Sequence, residues 1–384
     1  MSQDKHRPGT KLVEGGRGKA WRGSLVNPPV ERTSTILFKN AAELRGSKPR
    51  LGQYRYGLQG TATHWALAEA LTVLEPGAAG TALFSSGLQA ITSVLLALLK
   101  PGDELLVPDS VYGPTRKFCD TVLKRLGIAT RYYDPLASAS DLIGESTRVL
   151  FLESPGSLTM EVQDVPGLCA TARKHGVVTI LDNTWATPLL FPALAAGVDI
   201  SILAVTKYVG GHADLLLGSA TATGEHYDRL QTISWDLGNN VSADDAWLAS
   251  RGLRTMGLRL KHHEESALRI AGWLKEQPKV GAMLHPAFED CPGHEVWKRD
   301  FKGSSGLFSF ELLGDRGSRD RFLDALKLFG IGYSWGGFES LVLPVDPYRT
   351  ISKPPASNLV RLHIGLEDPE DLIDDLSAAF AAII

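Results

Sequence analysis

The chain has 384 residues, of which 43% are hydrophobic and 22% are charged, and its formal net charge is −3. A chain of this length exceeds one ordinary hydrophobic core, so we expect two domains. The small net charge and the lack of a long Lys/Arg run argue against a nucleic-acid-binding protein, and no segment approaches the roughly 20 apolar residues that span a bilayer.

The cysteines and the first residues bear on the cellular compartment. Cys119, Cys169 and Cys291 are widely spaced and form no CxxC pattern. Such cysteines are typical of buried thiols in a reducing compartment and not of a disulfide set or a zinc site. Residues 1–8 carry charges but no apolar run, so they do not predict a secretory signal. We therefore expect a cytoplasmic protein without a metal site.

The first 60 residues form a unit of their own in the sequence. They are polar, rich in Gly, Pro and Arg, and weakly periodic. A long stretch without its own secondary structure is uncommon inside a compact domain. We therefore predict that residues 1–60 are an arm that contacts a partner subunit.

Helical segments alternate with short β-rich runs over residues 61–252. The predicted elements are, in order, helix 63–74, strand 81–84, helix 88–99, strand 104–107, helix 114–126, strand 130–133, strand 149–152, helix 165–175, strand 177–182 and strand 200–205. This alternation is typical of βαβ units, and near-continuous apolar strands fit a sheet covered on both faces. We predict an α/β domain whose mostly parallel mixed sheet lies between helices.

Residues 253–384 have a different pattern. A long helix is predicted over about 254–274 and a second over 319–328, and a closing helix over 368–383. Residues 307–311 and 359–364 alternate between apolar and polar side chains, as antiparallel strands do. The sequence therefore predicts a smaller C-terminal α+β domain.

One apolar strand ends at a lysine. Residues 200–205 are followed by Thr206 and Lys207, and then by the glycine pair Gly210 and Gly211. Lysine is among the residues least often buried. Lys207 either forms a Schiff base with a carbonyl cofactor, most simply pyridoxal 5′-phosphate (PLP), or marks the end of the strand and points into water.

Two further segments could belong to the same site, because ligands of a parallel sheet lie beyond the carboxyl ends of its strands. Asp182 ends the strand before that of Lys207 and could hold a pyridinium nitrogen, or it could cap the turn that follows. Residues 85–88 begin a helix, so the N–H groups of Gly87 and Leu88 could bind a phosphate, with the Thr206 hydroxyl nearby. The alternative is an ordinary helix N-cap.

Aromatic and cationic residues offer further candidates. Tyr112 follows a strand, where its ring could stack on a cofactor or cover the edge of the core. Ser334 and Trp335 precede a glycine pair in the second domain. Arg361 lies within an alternating strand, and its planar guanidinium suits a carboxylate; the alternative is an exposed arginine on a half-buried strand.

Taken in order, these motifs are similar to those of the Cys/Met-metabolism family of fold-type I PLP enzymes, over nearly the whole chain. The matching stretches are residues 153–157 (ESPGS), 181–185 (LDNTW), 206–208 (TKY), 250–255 (SRGLRT), 303–308 (GSSGLF), 333–337 (YSWGG) and 361–368 (RLHIGLED). Their number and order make the resemblance specific. It implies that the larger domain has the fold-type I architecture.

The resemblance also implies a role for each candidate. Lys207 would bind PLP covalently and move the proton of the substrate Cα, with Tyr112 and Tyr56 as further catalytic residues, while Arg361 would hold the substrate carboxylate. The other cofactor-binding residues implied are Asp182 at the pyridine nitrogen, Tyr112 on the ring, and Gly87, Leu88 and Thr206 at the phosphate. Ser334 and Trp335 would lie at the substrate pocket. The family is typically a homotetramer, a dimer of dimers, in which Tyr56 and a nearby arginine reach the partner subunit's phosphate.

The sequence departs from the family at two positions. Leu58 stands where the family usually has the arginine that reaches the partner subunit's phosphate, so Gln59, Arg55 or another cation replaces it or the contact is lost. Ala204 stands three residues before Lys207, where many relatives have a serine. A charge-assisted contact has a gross worth of about 1.5–3 kcal/mol, so its loss would lower the affinity for the cofactor and leave the fold intact.

The implied reaction is β-elimination of L-cystathionine, a small sulfur amino acid, to homocysteine, pyruvate and ammonia, a step of methionine biosynthesis, with cysteine desulfhydration as a side activity. Tyr333 before Ser334 favours a β-lyase, because γ-lyases of the family often have an acidic residue there. A γ-lyase or sulfhydrylase of the family is the nearest alternative. A PLP-binding regulator without turnover is another, and an NAD(P) enzyme fits poorly without a glycine-rich fingerprint.

Overall fold

Two β-sheets organise the computed structural model, which describes residues 6–138 and 142–383. The helices are α1 Pro8–Glu14, α2 Lys19–Arg22, α3 Ala41–Gly46, α4 Ala62–Thr72, α5 Gly87–Leu98, α6 Gly113–Phe118, α7 Val165–Lys174, α8 Thr187–Leu190, α9 Gly224–Asp236, α10 Ala243–Lys275, α11 His294–Asp300, α12 Arg316–Ala325 and α13 Pro369–Ala381. The strands are β1 Gly80–Phe84, β2 Glu104–Pro108, β3 Ala129–Tyr133, β4 Thr147–Glu153, β5 Val178–Asp182, β6 Ile200–Ala204, β7 Gly218–Ala222, β8 Val280–Leu284, β9 Leu307–Leu312, β10 Gly330–Ile331, β11 Leu341–Val345 and β12 Leu359–His363.

In the larger sheet, the strands of the described residues follow the order β1-β7-β6-β5-β4-β2-β3. Strands β6, β5, β4, β2 and β3 are parallel, and β7 pairs antiparallel with both β1 and β6. Apolar side chains of these strands enter two separate buried clusters, so both faces of the sheet are covered. The predicted α/β fold with a mostly parallel mixed sheet is confirmed.

The smaller domain contains the second sheet, of order β10-β11-β12-β9-β8. Its pairs are antiparallel except β10–β11. Helices α10, α12 and α13 contribute side chains to the buried cluster on this sheet, which includes Ile270, Phe322 and Leu376. The predicted α+β domain is confirmed, although β8, β10 and β11 were not predicted from the sequence.

Helix α10 connects the two sheets and is longer than predicted. It begins at Ala243, where the Ser242 hydroxyl accepts the N–H groups of Asp244 and Asp245. Gly252 lies inside this helix. A larger residue would not fit there, because a Cβ would come within 2.2 Å of the Gly210 carbonyl oxygen. The glycine therefore permits close packing and does not start the helix. The expected domain boundary at residues 252/253 falls within α10.

The N-terminal arm contains more structure than the sequence predicted, since α1, α2 and α3 all lie within it. Helix α1 packs on its own chain: Leu12 is buried, and Arg254 of α10 donates hydrogen bonds to the carbonyl oxygens of Leu12 and Gly15. Later arm residues expose large apolar side chains, with Leu37 at 90% and Val26 at 69% exposure.

Strand β7 and helix α9 were also missed. The strand reads Gly-Ser-Ala-Thr-Ala, so it lacks the large β-branched and aromatic side chains that usually identify a strand. Small residues suit this position because β7 is buried between β1 and β6. Within the described residues, no helix is both long and apolar enough to cross a bilayer.

Candidate active site

A cavity of about 490 Å³ lies between the larger sheet and the smaller domain. Its walls come from the carboxyl ends of β4, β5 and β6, from the N-terminus of α5, and from β11 and β12. The predicted site residues that line it are Gly87, Leu88, Tyr112, Asp182, Thr206, Lys207, Trp335 and Arg361. The structure thus brings residues from distant parts of the sequence to one place.

Lys207 follows β6 and is half-buried. Its Nζ donates a hydrogen bond to Ser334 Oγ at 2.6 Å and lies 5.1 Å from the centre of the Trp335 ring. Burial and, to a smaller extent, the nearby Arg361 charge lower the pKa of Lys207 to about 8, against the opposing effect of the Asp182 charge. About a tenth of this amine is therefore neutral at pH 7.

Asp182 ends β5 and faces the same cavity. Its Oδ1 accepts the Thr184 N–H at 3.1 Å and the Thr184 hydroxyl at 2.5 Å. Asp182 therefore caps the following turn and lines the site, so both sequence interpretations describe it. Burial raises its pKa, while the Thr184 hydrogen bonds and the Lys207 charge lower it.

The N-terminus of α5 lies against the end of β6. Ser86 caps this 12-residue helix by accepting the Gln89 N–H. A Cβ on Gly87 would come within 2.6 Å of Ala204 Cβ, so glycine allows the helix to approach β6. The N–H groups of Gly87 and Leu88 lie in the first helical turn, where no helical carbonyl can accept them. Thr206 Oγ1 lies nearby in the cavity and exchanges hydrogen bonds with the backbone of Leu217.

Tyr112 lies in the connection between β2 and α6, with its side chain partly exposed to the cavity. Its backbone N–H donates to Glu153 Oε2 at 2.8 Å. Burial raises the pKa of Tyr112, as does the charge of Asp182. The phenol is therefore neutral in the isolated chain at neutral pH.

Arg361 crosses from β12 to the cavity, where an Nη atom donates to the Ser334 carbonyl oxygen at 3.0 Å. Burial lowers its pKa to about 10, so it is a cation at neutral pH. Ser334 has φ = 85°, a conformation uncommon for residues other than glycine. Its side chain contacts Lys207 and its backbone contacts Arg361, so one strained residue links the two cations.

Tyr56 is the predicted site residue that the single chain does not bring to this cavity. It lies on the arm, is 51% exposed, and precedes the short 3₁₀ turn Gly57–Gln59. Leu58 of that turn lines a separate small cavity with Trp65 and Asn239. The contact with a partner subunit stays a prediction.

Sequence reasoning missed two residues of the site. Glu153 lines the cavity beside Asp182, and Thr184 holds Asp182 in place. A signal for Glu153 was present, because it ends an apolar strand as Asp182 does. No group of three or more potential metal ligands was found among residues 6–138 and 142–383.

Comparison with known proteins relates this geometry to a family. The family model described as "Cys/Met metabolism PLP-dependent enzyme" matches residues 9–381. Over 382 residues the chain is 50% identical to a putative cystathionine beta-lyase of Rhizobium johnstonii, covering 97% of this chain and 96% of the relative. It is 42% identical over 389 residues to cystathionine beta-lyase MetC of Escherichia coli, with 98% of each covered.

A solved structure has the same fold. Cystathionine gamma synthase from Xanthomonas oryzae pv. oryzae, in complex with cystathionine, superposes with a TM-score of 0.91 at 32% identity, and 98% of each chain is covered. The fold extends over both sheets of this chain.

Proposed function

Since the chain belongs to the family of Cys/Met metabolism PLP-dependent enzymes, we propose that it is a carbon–sulfur lyase that catalyses the β-elimination of L-cystathionine. The sequence prediction of family and cofactor is confirmed. The observation that carries the proposal is the meeting of Lys207, Asp182 and Arg361 in one cavity, in a chain 42–50% identical over nearly its full length to proteins named cystathionine beta-lyase or putative cystathionine beta-lyase.

The residues present fit PLP at each of its functional groups. Lys207 offers an amine of lowered pKa for the aldehyde, and the buried Asp182 offers an acceptor for the ring N–H. The first turn of α5, with Gly87 packed against Ala204, offers N–H groups and the positive end of a helix dipole for the phosphate. The Tyr112 ring would stack on the cofactor ring.

When bound, PLP supplies an electron sink for the bond electrons of the substrate Cα. Lys207 takes the proton from Cα, which requires the neutral amine, and its hydrogen bond to Ser334 keeps Nζ oriented in the cavity. Arg361 holds the substrate carboxylate through charge-assisted hydrogen bonds. Trp335 forms the wall of the cavity beside Lys207.

The overall reaction breaks the Cα–H and Cβ–S bonds of cystathionine. Sulfur leaves with the four-carbon part as homocysteine, and addition of water to the remaining three carbons yields pyruvate and ammonia. Incubation of the purified holoenzyme with L-cystathionine, followed by identification of both products, tests the proposal. Cysteine with 2-oxobutyrate would identify a γ-lyase, and a yellow protein that releases no keto acid would indicate a non-catalytic PLP-binding regulator.

The exposed apolar side chains of the arm support an assembly of several copies. Leu25, Val26, Leu37 and Leu44 are all more than half exposed, and such groups on one segment are typical of contact surfaces. We infer a homotetramer, a dimer of dimers, in which residues 1–60 contact a partner and Tyr56 reaches the partner's cofactor. Light scattering of the purified protein checks the assembly; a monomer would contradict it.

A cytoplasmic location is supported by the three cysteines, all buried and unpaired, as in reducing compartments. Fractionation of cells that express the tagged protein tests this location. Recovery of the protein outside the cytoplasmic fraction would contradict it.

A further inference from the structure

Glu153 is a cavity-lining carboxyl group to which the reaction above gives no task. Its Cα pairs in register with that of Asp182 on the neighbouring parallel strand. Side chains of paired residues on neighbouring strands point to the same face of a sheet. Both carboxyl groups therefore enter the same cavity, whose walls are largely apolar.

The two carboxyl groups have unequal support for a negative charge. Asp182 accepts two hydrogen bonds from Thr184 and is favoured as an anion by Lys207. Glu153 accepts the Tyr112 N–H at 2.8 Å. Because like charges in a buried site cannot both form cheaply, the proton stays on the group with the weaker support. That group is Glu153.

The surrounding charges agree with this assignment. Burial raises the pKa of Glu153 well above its usual range, and the Asp182 charge on β5 raises it further. Arg349, in the connection between β11 and β12, opposes the shift, as does the Tyr112 N–H. Arg349 is occupied by a buried ion pair with Glu161 at 2.7 Å. Lys207 and Arg361, the other cations at the cavity, are assigned to the cofactor and the substrate.

We propose that Glu153 is a positioning residue of the cofactor site, whose neutral carboxyl group fixes the backbone of Tyr112 and leaves Asp182 as the anion for the pyridine nitrogen. The inference rests on the proposed cofactor site. Tyr112 is the residue at which the chain enters α6, so the contact to Glu153 sets where its ring lies. An ionised Glu153 would instead place a second negative charge beside Asp182 and disfavour the Asp182 anion.

Two substitutions separate the positioning role from a charged role. Glu153→Gln keeps an acceptor for the Tyr112 N–H and stays neutral, whereas Glu153→Ala removes the acceptor. PLP loss from each holoenzyme during dialysis is followed by the visible absorbance of the cofactor. We expect the Gln variant to lose PLP within about threefold of the wild-type rate and the Ala variant about tenfold faster, as a lost hydrogen bond predicts. Glu265→Gln, at an exposed position of α10, is the matched control.

Two outcomes of the dialysis experiment would overturn the inference. A Gln variant as impaired as the Ala variant would show that Glu153 acts as an anion. An Ala variant that retains PLP like the wild type would show that the contact positions nothing. If Glu153→Ala does not fold, PLP loss from Glu153→Gln and the infrared spectrum described next still test the inference.

The protonation state has a direct spectroscopic signature. A protonated carboxyl group has an infrared C=O stretch that a carboxylate lacks, so the wild-type minus Glu153→Gln difference spectrum of the holoenzyme at neutral pH should contain this band and shift in D₂O. Its absence would overturn the neutral state. Neither measurement uses a thioether substrate. A wild-type protein that binds PLP but releases no pyruvate would therefore refute the proposed reaction and leave the inference about Glu153 standing.

Discussion

Burial and the neighbouring Arg361 charge both lower the pKa of the Lys207 amine. Its pKa of about 8 means that, at pH 8, about half of the groups are neutral, against less than about 1% for a lysine with an ordinary pKa near 10.4. The amine is therefore available to an aldehyde at a pH where other lysines are protonated.

Replacing Lys207 should abolish covalent attachment of PLP. In Lys207→Ala, no amine remains beside Ser334, so borohydride reduction followed by peptide mass spectrometry should find no cofactor on the chain and the visible absorption of the bound cofactor should be lost. The control is Lys261→Ala on the exposed face of α10. Attachment that persists in Lys207→Ala would move the role to another lysine.

Arg361→Ala should mainly weaken substrate binding. The substitution removes the carboxylate partner and also the hydrogen bond to the Ser334 carbonyl oxygen. Loss of a charge-assisted pair should raise KM about tenfold or more, with a smaller change in kcat. Steady-state kinetics with L-cystathionine measures both constants, and an unchanged KM would reject the carboxylate-binding role. Arg269→Ala, at an exposed ion pair with Glu370, is the control.

The sequence identified most residues of the site because each follows an apolar strand or begins a helix. Lys207, Asp182 and Gly87 were found in this way, and the cavity joins them. The tertiary contacts among them could not be derived. The Lys207–Ser334 hydrogen bond spans 127 positions, and no local pattern encodes it.

The connection between β11 and β12 is hydrogen-bonded to the larger domain at Asp109, which follows β2. Backbone N–H groups of Thr350, Ile351 and Ser352 donate to the Asp109 carboxylate, which also pairs with Arg116 at 2.6 Å. Asp109 lies three residues before Tyr112, so these hydrogen bonds between the two domains are next to the candidate site. Burial alone would raise the pKa of Asp109, but these hydrogen bonds outweigh it and hold the pKa low.

Asp109→Asn should destabilise the protein strongly. The amide keeps the shape but leaves the Arg116 charge buried without its partner, and breaking such a pair costs about 3–5 kcal/mol. The midpoint of urea unfolding at pH 7 should fall, while Asp320→Asn, exposed on α12, should leave it unchanged. An equal midpoint for both variants would contradict this structural role.

The same variant has a predicted pH dependence. Because the folded-state pKa of Asp109 is depressed, its contribution is present above the unfolded pKa and is lost as pH falls through the folded one. The difference in stability between the wild type and Asp109→Asn should therefore shrink in acid.

Helices and strands were predicted correctly where the apolar periodicity of the sequence is strong. They were missed where tertiary packing determines the secondary structure. The helix at Ala62–Thr72 and the strand at Val178–Asp182 were both predicted within two residues at each end. Strand β7 could not be predicted, because its small residues reflect close packing between two strands that are distant in the sequence.

For the molecule as an assembly, the departure at Leu58 has a measurable consequence. In the proposed oligomer, Leu58→Arg should restore a cation near the partner's phosphate and slow PLP loss about tenfold, as a charge-assisted hydrogen bond would. Leu51→Arg adds the same charge on the arm, at another residue lining the same small cavity, and should not slow it. No effect of Leu58→Arg on dialysis would mean that another group already binds the phosphate.

Glu75 should make the stability of the whole chain depend on pH. It lies between α4 and β1, is 3% exposed, and accepts the Leu194 N–H at 3.4 Å. Burial raises its pKa from 4.5 to about 7, and the hydrogen bonds to it oppose the shift. The folded state therefore binds more protons than the unfolded state between these values, so stability is fully present below pH 4.5 and falls as the pH rises through 7.

Glu75→Gln removes this titration and keeps the shape. The unfolding free energy of Glu75→Gln relative to the wild type should rise by about 3 kcal/mol between pH 4.5 and pH 8, since each pKa unit corresponds to about 1.4 kcal/mol. Urea unfolding at several pH values measures this difference in unfolding free energy. For the control Glu289→Gln, at an exposed position, the difference should not change with pH. A flat difference for Glu75→Gln as well would mean that the carboxyl group reaches water before it ionises.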